Sequence, residues 1–469
     1  MSTPNTHFGT KEITRMMSGV HSVFFIGIGG VNMSSLAELT MLRGYLVGGS
    51  DRTPSDITRR LEEKGINVFY SHNAQNLRGY DAVVYTVAIA PDNPEYMAAE
   101  AAGLPLISRA DYLGYVMSAY PLRIGICGMH GKSTTTSMCG LAFSAAGGDP
   151  TVLCGARMPD FDSYYTIGRG AGFIFEACEY MDSFLDFNPS VAVMLNIEMD
   201  HVDYFSSIVQ IRRSFANFAS LTGPDGWVIA NWDDDNVRLS LAGYTGNIVR
   251  FSVKGNPDAA WQCENIDLSR GLPSFDVTNA GSTVGHIDLS VPGTHNIYNA
   301  MAAFIPACLA GLPADRAAEG ISSFVGAGRR LEYKGKFRSS DVYDDYAHHP
   351  TEISATVNAL REMGYSRIFC YYQPHTYSRT AGLYDEFVSA LAQYDGVLLA
   401  DIYAAREKET LGMSSEKLAS SIGGHALYCP DYAKALEIFA SEARDRDAIV
   451  IEGAGDINRF FEIMEFDNE

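Results

Sequence analysis

The chain repeats one hydrophobic and polar pattern three times: a short apolar run, a turn rich in glycine or polar residues, then apolar positions at helical spacing. In the first unit the apolar stretch Val23 to Ile28 runs into Gly27-Ile28-Gly29-Gly30 and then into the helical segment Met33 to Leu39. Strand-like runs follow at Tyr45 to Gly48 and Ala82 to Val87, with a polar helix at Ile57 to Lys64 between them. A second unit opens after Ala119-Tyr120-Pro121, with strands predicted at Leu122 to Cys127, Gly172 to Glu176, Val191 to Asn196 and Trp227 to Ala230, and a helix from Asn296 to Leu309. A third start follows Gly326-Ala327-Gly328-Arg329-Arg330, with short apolar segments at Val342-Tyr343, Ile368 to Tyr372, Gly396 to Leu399 and Ala448 to Ile451. Alternation of this kind predicts α/β domains whose ligands sit beyond the carboxyl ends of the strands. The boundaries fall near residues 119 and 325, giving domains 1–118, 119–325 and 326–469.

Length agrees with three cores, since 469 residues exceed what one hydrophobic core normally holds. Thirty-five Lys and Arg against 56 Asp and Glu give a net charge of −21, a field that opposes nucleic acid and anionic lipid as partners. No apolar window reaches the roughly 18 residues that a membrane span needs. The eight cysteines never approach C-x-x-C spacing, so neither a zinc knot nor a secreted disulfide framework is expected, and a reducing cytoplasm is.

Chemistry concentrates at the strand ends. Gly128-Met129-His130-Gly131-Lys132-Ser133-Thr134 joins a strand to a Ser/Thr-rich helix, the arrangement that surrounds phosphate oxygens with backbone N–H groups, an ammonium and a hydroxyl. It departs from the strict phosphate-loop pattern in having Ile126 at the first glycine position. Two acidic clusters, Glu176 to Asp182 and Asn196 to Asp203, end strands of the same unit and offer hard oxygen ligands for Mg²⁺ on one rim. The first loop, Gly27-x-Gly29-x-x-Asn32 with Asp51 beyond it, resembles a dinucleotide fingerprint whose third glycine is missing. That loop alone admits a nicotinamide dehydrogenase; a different diphosphate ligand serves equally well. In the third unit, Asp344 to Glu352 and Gln373 to Thr380 mass polar, aromatic and ionisable groups directly after apolar strands, which suits substrate holding better than folding.

Taken in order, Gly128 to Thr134, Glu176, Asn196 to His201, His295-Asn296 with Asn299-Ala300, Arg329-Arg330, Asp345 to Pro350 and Gln373-Pro374-His375 resemble the motifs of the Mur ligases across almost the whole chain. The resemblance implies an N-terminal Rossmann-like domain for the UDP-sugar, a central P-loop-type ATPase with a mostly parallel sheet, and a C-terminal Rossmann-like domain for amino acid and ATP. It implies that Gly29, Gly30, Asp51 and His72 contact UDP. Gly128, His130, Gly131, Lys132, Ser133 and Thr134 would cradle the ATP phosphates, with His295, Asn296, Arg329 and Asp345 completing the ATP site. Ser133, Glu176 and His201 would surround Mg²⁺. His348, His375 and Arg379 would face the incoming amino acid, and Lys132, Glu176, His201, His348 and Arg379 form the expected catalytic set.

The implied reaction is ATP-dependent ligation of L-alanine to the carboxylate of UDP-N-acetylmuramate through an acyl phosphate, in peptidoglycan precursor synthesis. Alternatives are a recycling ligase that joins a whole tripeptide to the same sugar nucleotide, and a non-catalytic nucleotide-binding sensor. The expected assembly is a monomer or weak homodimer. Met129, Asn32 and Thr376 depart from the residues usual in the family. Because no Lys occurs between Lys132 and Lys254, a carbamylated lysine cannot position magnesium here, and Glu176, His201 and water are expected to do so.

Overall fold

The computed structural model describes residues 3–405 and 407–467. Its strands are β1 (Ser22–Ile26), β2 (Leu46–Ser50), β3 (Asn67–Phe69), β4 (Ala82–Tyr85) and β5 (Leu106–Ser108) in the first sheet, ordered β3-β2-β1-β4-β5 and all parallel. β1, Ser-Val-Phe-Phe-Ile, is buried along its entire length, as expected of a central parallel strand covered by helices on both faces.

The second sheet has ten strands: β6 (Leu122–Cys127), β7 (Thr151–Met158), β8 (Ser163–Thr166), β9 (Gly172–Glu176), β10 (Val191–Met194), β11 (Trp227–Asn231), β12 (Asn247–Ser252), β13 (Trp261–Asp267), β14 (Ser274–Asn279) and β15 (Ser282–Asp288). Their order is β15-β14-β13-β12-β11-β10-β6-β9-β7-β8, with a parallel centre and antiparallel pairs at both flanks. The third sheet contains β16 (Glu332–Phe337), β17 (Ser340–Asp345), β18 (Arg367–Tyr372), β19 (Gly396–Leu399), β20 (Ala426–Tyr428) and β21 (Asp447–Glu452), ordered β16-β17-β21-β18-β19-β20, antiparallel only at β16.

Predicted and observed strands differ by a residue or two at their ends; β2 runs to Ser50 and β4 stops at Tyr85. The antiparallel flank β13 to β15 escapes the apolar-run criterion because one face is solvated. β15, Ser-Thr-Val-Gly-His-Ile-Asp, buries only Ile287. No helix among the described residues is long and apolar enough to cross a membrane.

Candidate active site

β6 lies between β10 and β9, so the loop after it emerges beside the ends of both. Gly131 caps the helix Lys132–Ala145 in a left-handed conformation, φ +84°, and a Cβ there would stand 2.4 Å from Asn299 Oδ1. Glycine is required on both counts. Asn196, just past β10, braces the loop from below: its Oδ1 accepts from the His130 N–H at 2.8 Å and its Nδ2 donates to the His130 carbonyl at 3.0 Å.

Lys132 curls back onto its own loop. Its Nζ donates to the Gly128 carbonyl at 2.5 Å and contacts both carboxylate oxygens of Glu179, at 3.1 and 3.2 Å. Glu179 is fully buried, and its Oε1 also lies 3.0 Å from His201 Nε2. Burial alone would raise the Glu179 carboxyl, but Lys132 and His201 hold it below the usual carboxylate range. The sequence places Glu179 in the acidic cluster without singling it out, yet it is the group that joins Lys132 to His201. Glu176 sits nearby at the end of β9, with Oε1 accepting from the Gly155 N–H at 2.5 Å and from Cys154 Sγ at 3.2 Å. Cys154 also contacts the Ser133 carbonyl at 3.5 Å, so Ser133 and Glu176 flank one thiol.

His130 ties the loop to the third domain. Its Nδ1 lies 2.9 Å from Glu352 Oε1 and its Nε2 forms an ion pair with Glu198. Burial pushes the ring down, but the two carboxylates override it and raise it to about 10. His349 packs against His130 with ring centroids 4.8 Å apart and planes tilted by 42°, and pairs its Nε2 with the Met199 carbonyl at 3.1 Å, while Thr351 donates to Glu198 at 2.7 Å. His130, Glu198 and His349 have metal-ligand spacing, but these contacts already occupy their polar atoms and make them an interdomain clasp. Glu352 was legible as the acid three residues after the His349 helix cap, a position that favours a carboxylate.

Above the clasp lies a cavity of about 950 Å³ between the second and third domains, lined by His130, Gly131, Ser133, Thr134, His295, Asn296 and Asp345 from the expected nucleotide set. Gly128, Lys132 and Arg329 do not line it; Arg330 does. Arg329 instead bonds Asp344 at 3.2 Å and the Gly453 carbonyl at 2.7 Å. Asp345 accepts from Thr356 Oγ1 at 2.6 Å and from the Ala347 N–H at 3.1 Å, and burial raises it to about 6.

Arg379 donates from Nε to Asp200 Oδ1 at 2.9 Å and contacts His375 Nδ1 at 3.3 Å, so this guanidinium also bridges domains two and three. His348 and His375 have ring centroids 6.1 Å apart; burial lowers them to about 3 and about 4, respectively. His201, Arg329 and Thr376 all hold positive φ, 49°, 55° and 67°, and such strain collects at working sites.

In the first domain Asp51, following β2, accepts from the Gly29 N–H at 2.9 Å, occupying one of the loop's amide donors. His72 is set by Glu95 at 2.8 Å and Ser50 at 3.1 Å. Gly30 caps the helix Val31–Leu42, leaving Asn32 inside its first turn.

Three family models match in succession: the Mur ligase family catalytic domain at residues 22–121, the Mur ligase middle domain at 126–307, and the Mur ligase glutamate ligase domain at 329–455. A UDP-N-acetylmuramate–L-alanine ligase from Clostridium novyi is 41% identical over 445 residues, 94% of this chain and 96% of that protein. One from Caldanaerobacter subterraneus is 42% identical over 439 residues, 93% and 95% of the two chains. The crystal structure of UDP-N-acetylmuramate–alanine ligase from Thermotoga maritima superposes with a TM-score of 0.77 at 26% identity, covering 94% of this chain and 98% of that one. With matches spanning all three sheets and relatives this similar along nearly the full length, the chain belongs to the Mur ligase family.

Proposed function

We infer that this protein is an ATP-dependent ligase that joins L-alanine to the carboxylate of UDP-N-acetylmuramate in peptidoglycan synthesis. The observation that carries the reading is the juncture of Lys132, Glu179 and His201 at the carboxyl edge of the central sheet, beside a cavity shared with the third domain.

A carboxylate resists attack because its leaving group would be oxide. Transfer of the γ-phosphoryl group of ATP converts it to an acyl phosphate, and the neutral amine of alanine then attacks the acyl carbon, passes through a tetrahedral intermediate and expels phosphate. Lys132 serves the terminal phosphates once they draw it from Glu179, and the loop N–H groups and helix start take the remaining oxygens. His348 and His375, uncharged at neutral pH, do not repel the ammonium of the incoming amino acid. Docking of the third domain through His130 and Arg379 excludes water that would hydrolyse the acyl phosphate.

Magnesium suits the residues present. Ser133, whose carbonyl contacts Cys154, and Glu176, whose carboxylate accepts from the same thiol, also offer a hydroxyl and a carboxylate as hard oxygen donors, and with His201 they would hold the ion. Bound there, it would neutralise phosphate charge.

The purified protein, given ATP, UDP-N-acetylmuramate and, in parallel, L-alanine, L-serine, glycine or the tripeptide, is expected to release ADP and phosphate with L-alanine. Release with the tripeptide alone overturns the assignment to alanine, and binding of both nucleotides without ADP formation for any acceptor overturns the ligase.

A further inference from the structure

The carboxylate at the end of β9 is gripped by one oxygen and free at the other. Glu176 Oε1 accepts from the Gly155 N–H at 2.5 Å and from Cys154 Sγ at 3.2 Å. Among the described residues no group donates to Oε2, and the residue is half-buried.

The end of a strand pairing makes this grip. β7 runs beside β9 from Thr151 opposite Phe173 to Leu153 opposite Phe175, and there the parallel ladder stops. On its other side β7 pairs with β8 at Leu153 and next at Met158, leaving the residues between unpaired. Cys154 and Gly155 therefore stand next to Glu176 with a backbone N–H that no neighbouring strand takes, and it goes to the carboxylate. Glycine permits the approach, because a Cβ at 155 would stand 3.0 Å from Oε2 and 3.2 Å from Oε1.

Cys154 lies in the apolar core with Val152 and Met138, beneath the helix Lys132–Ala145. Its thiol has three polar neighbours: Glu176 Oε1 at 3.2 Å, and the Ser133 carbonyl and Ser137 hydroxyl each at 3.5 Å. The Ser133 carbonyl already accepts from the Ser137 hydroxyl at 2.9 Å, so the nearest acceptor for the thiol proton, and the only charged one of the three, is Glu176. A thiol in apolar surroundings keeps its proton, and a charged acceptor strengthens the bond that it makes.

We propose that Cys154 is a positioning residue for the magnesium carboxylate: with the Gly155 N–H it pins Glu176 Oε1 and leaves Oε2 to the ion, an inference that rests on the magnesium reading above. Outer partners of this kind fix the direction of a ligand, which matters for Mg²⁺ because it demands near-octahedral geometry. Because the same thiol touches Ser133 and Ser137, the carboxylate is set against the helix turn that follows the phosphate loop.

Three substitutions separate the donor from the packing. Cys154→Val keeps a buried apolar side chain without the donor, Cys154→Ser keeps a donor, and Cys154→Ala removes donor and volume together. Mn²⁺ titrated into each protein holding ADP, and followed by electron paramagnetic resonance, is expected to bind wild type and Cys154→Ser alike. Cys154→Val and Cys154→Ala are expected to bind it about 10-fold more weakly, the lower end of what losing an outer partner does elsewhere. ADP affinity measured calorimetrically in EDTA is expected to be the same in all four proteins, and the Mg²⁺ concentration for half-maximal ligation is expected to rise only for the Val and Ala variants. Mn²⁺ affinity that follows packing instead, with Cys154→Val matching wild type, overturns the proposal, as does no change in any variant or an equal loss of ADP affinity in EDTA. If Cys154→Val does not fold, the Ser and Ala variants carry the same comparison. Wild type that holds Mn²⁺ while every variant matches it sinks this inference alone; wild type that takes up no Mn²⁺ beside ADP sinks the magnesium reading with it, and wild type that forms no ADP from ATP with any acceptor sinks the ligase reading.

Discussion

His130 Nδ1 lies 2.9 Å from Glu352 Oε1, 222 residues further along the chain, so the phosphate loop of one domain is held by the first helical turn of another. The imidazolium is buried among carboxylates and its pKa stands at about 10, well above the ordinary value of 6.5. A raised pKa means that its contribution to stability is complete below about pH 6.5 and is lost as the pH rises through 10. Wild type is therefore expected to melt above His130→Asn at pH 6, with the gap narrowing progressively toward pH 10. Differential scanning calorimetry across that range checks it; a gap independent of pH would contradict the clasp.

Glu179 neutralises Lys132 and pairs with the His201 ring inside the protein. Replacing it with Ala leaves the enclosed Lys132 ammonium without its carboxylate, and removal of one partner from a buried pair costs about 3 to 5 kcal/mol. Chemical denaturation of Glu179→Ala is expected to show a loss of that size. Lys132→Ala is expected to lower kcat on the order of 10²- to 10³-fold, as removal of one preorganised donor does elsewhere, while UDP-N-acetylmuramate still binds. Parallel loss of sugar-nucleotide binding would contradict the separation of the two sites.

Asp345 is raised to about 6 by burial, so its ionisation near neutral pH opposes folding. Folded-state protonation is favoured, and the associated stability is present below the unfolded value near 3.8 and lost as the pH passes 6. Asp345→Asn is expected to match or exceed wild type in thermal midpoint at pH 7.5 while weakening ATP binding, because the side chain lines the cavity. A stability loss with ATP affinity intact would make Asp345 a framework residue only.

Asp51→Ala removes the acceptor of the Gly29 N–H and is expected to weaken UDP-sugar binding with ATP binding kept. Isothermal titration with each nucleotide separately decides the point.

How much of this was legible depends on the physics of each element. Parallel strands buried on both faces, such as β1 and β21, announce themselves as apolar runs; the half-solvated β15 does not. The phosphate loop was readable because its glycines, lysine and hydroxyls are local in sequence. Glu179 was visible only as one acid among several, since its distinction is to meet a lysine 47 residues away and a histidine 22 residues away. Arg330 rather than Arg329 reaches the cavity because Arg329 turns toward Asp344 and the Gly453 carbonyl, partners that two adjacent arginines give no means of choosing between.

The resting embrace of Lys132 by Glu179 also bears on selectivity. An ammonium that already has an internal counter-ion gains little from a stray sulfate or free phosphate, since each new contact must first displace a satisfied one. The loop thereby rewards an arrival that supplies its own compensating positive charge over a bare anion, and the crowded ionic milieu of a cell leaves it idle until such a pair comes.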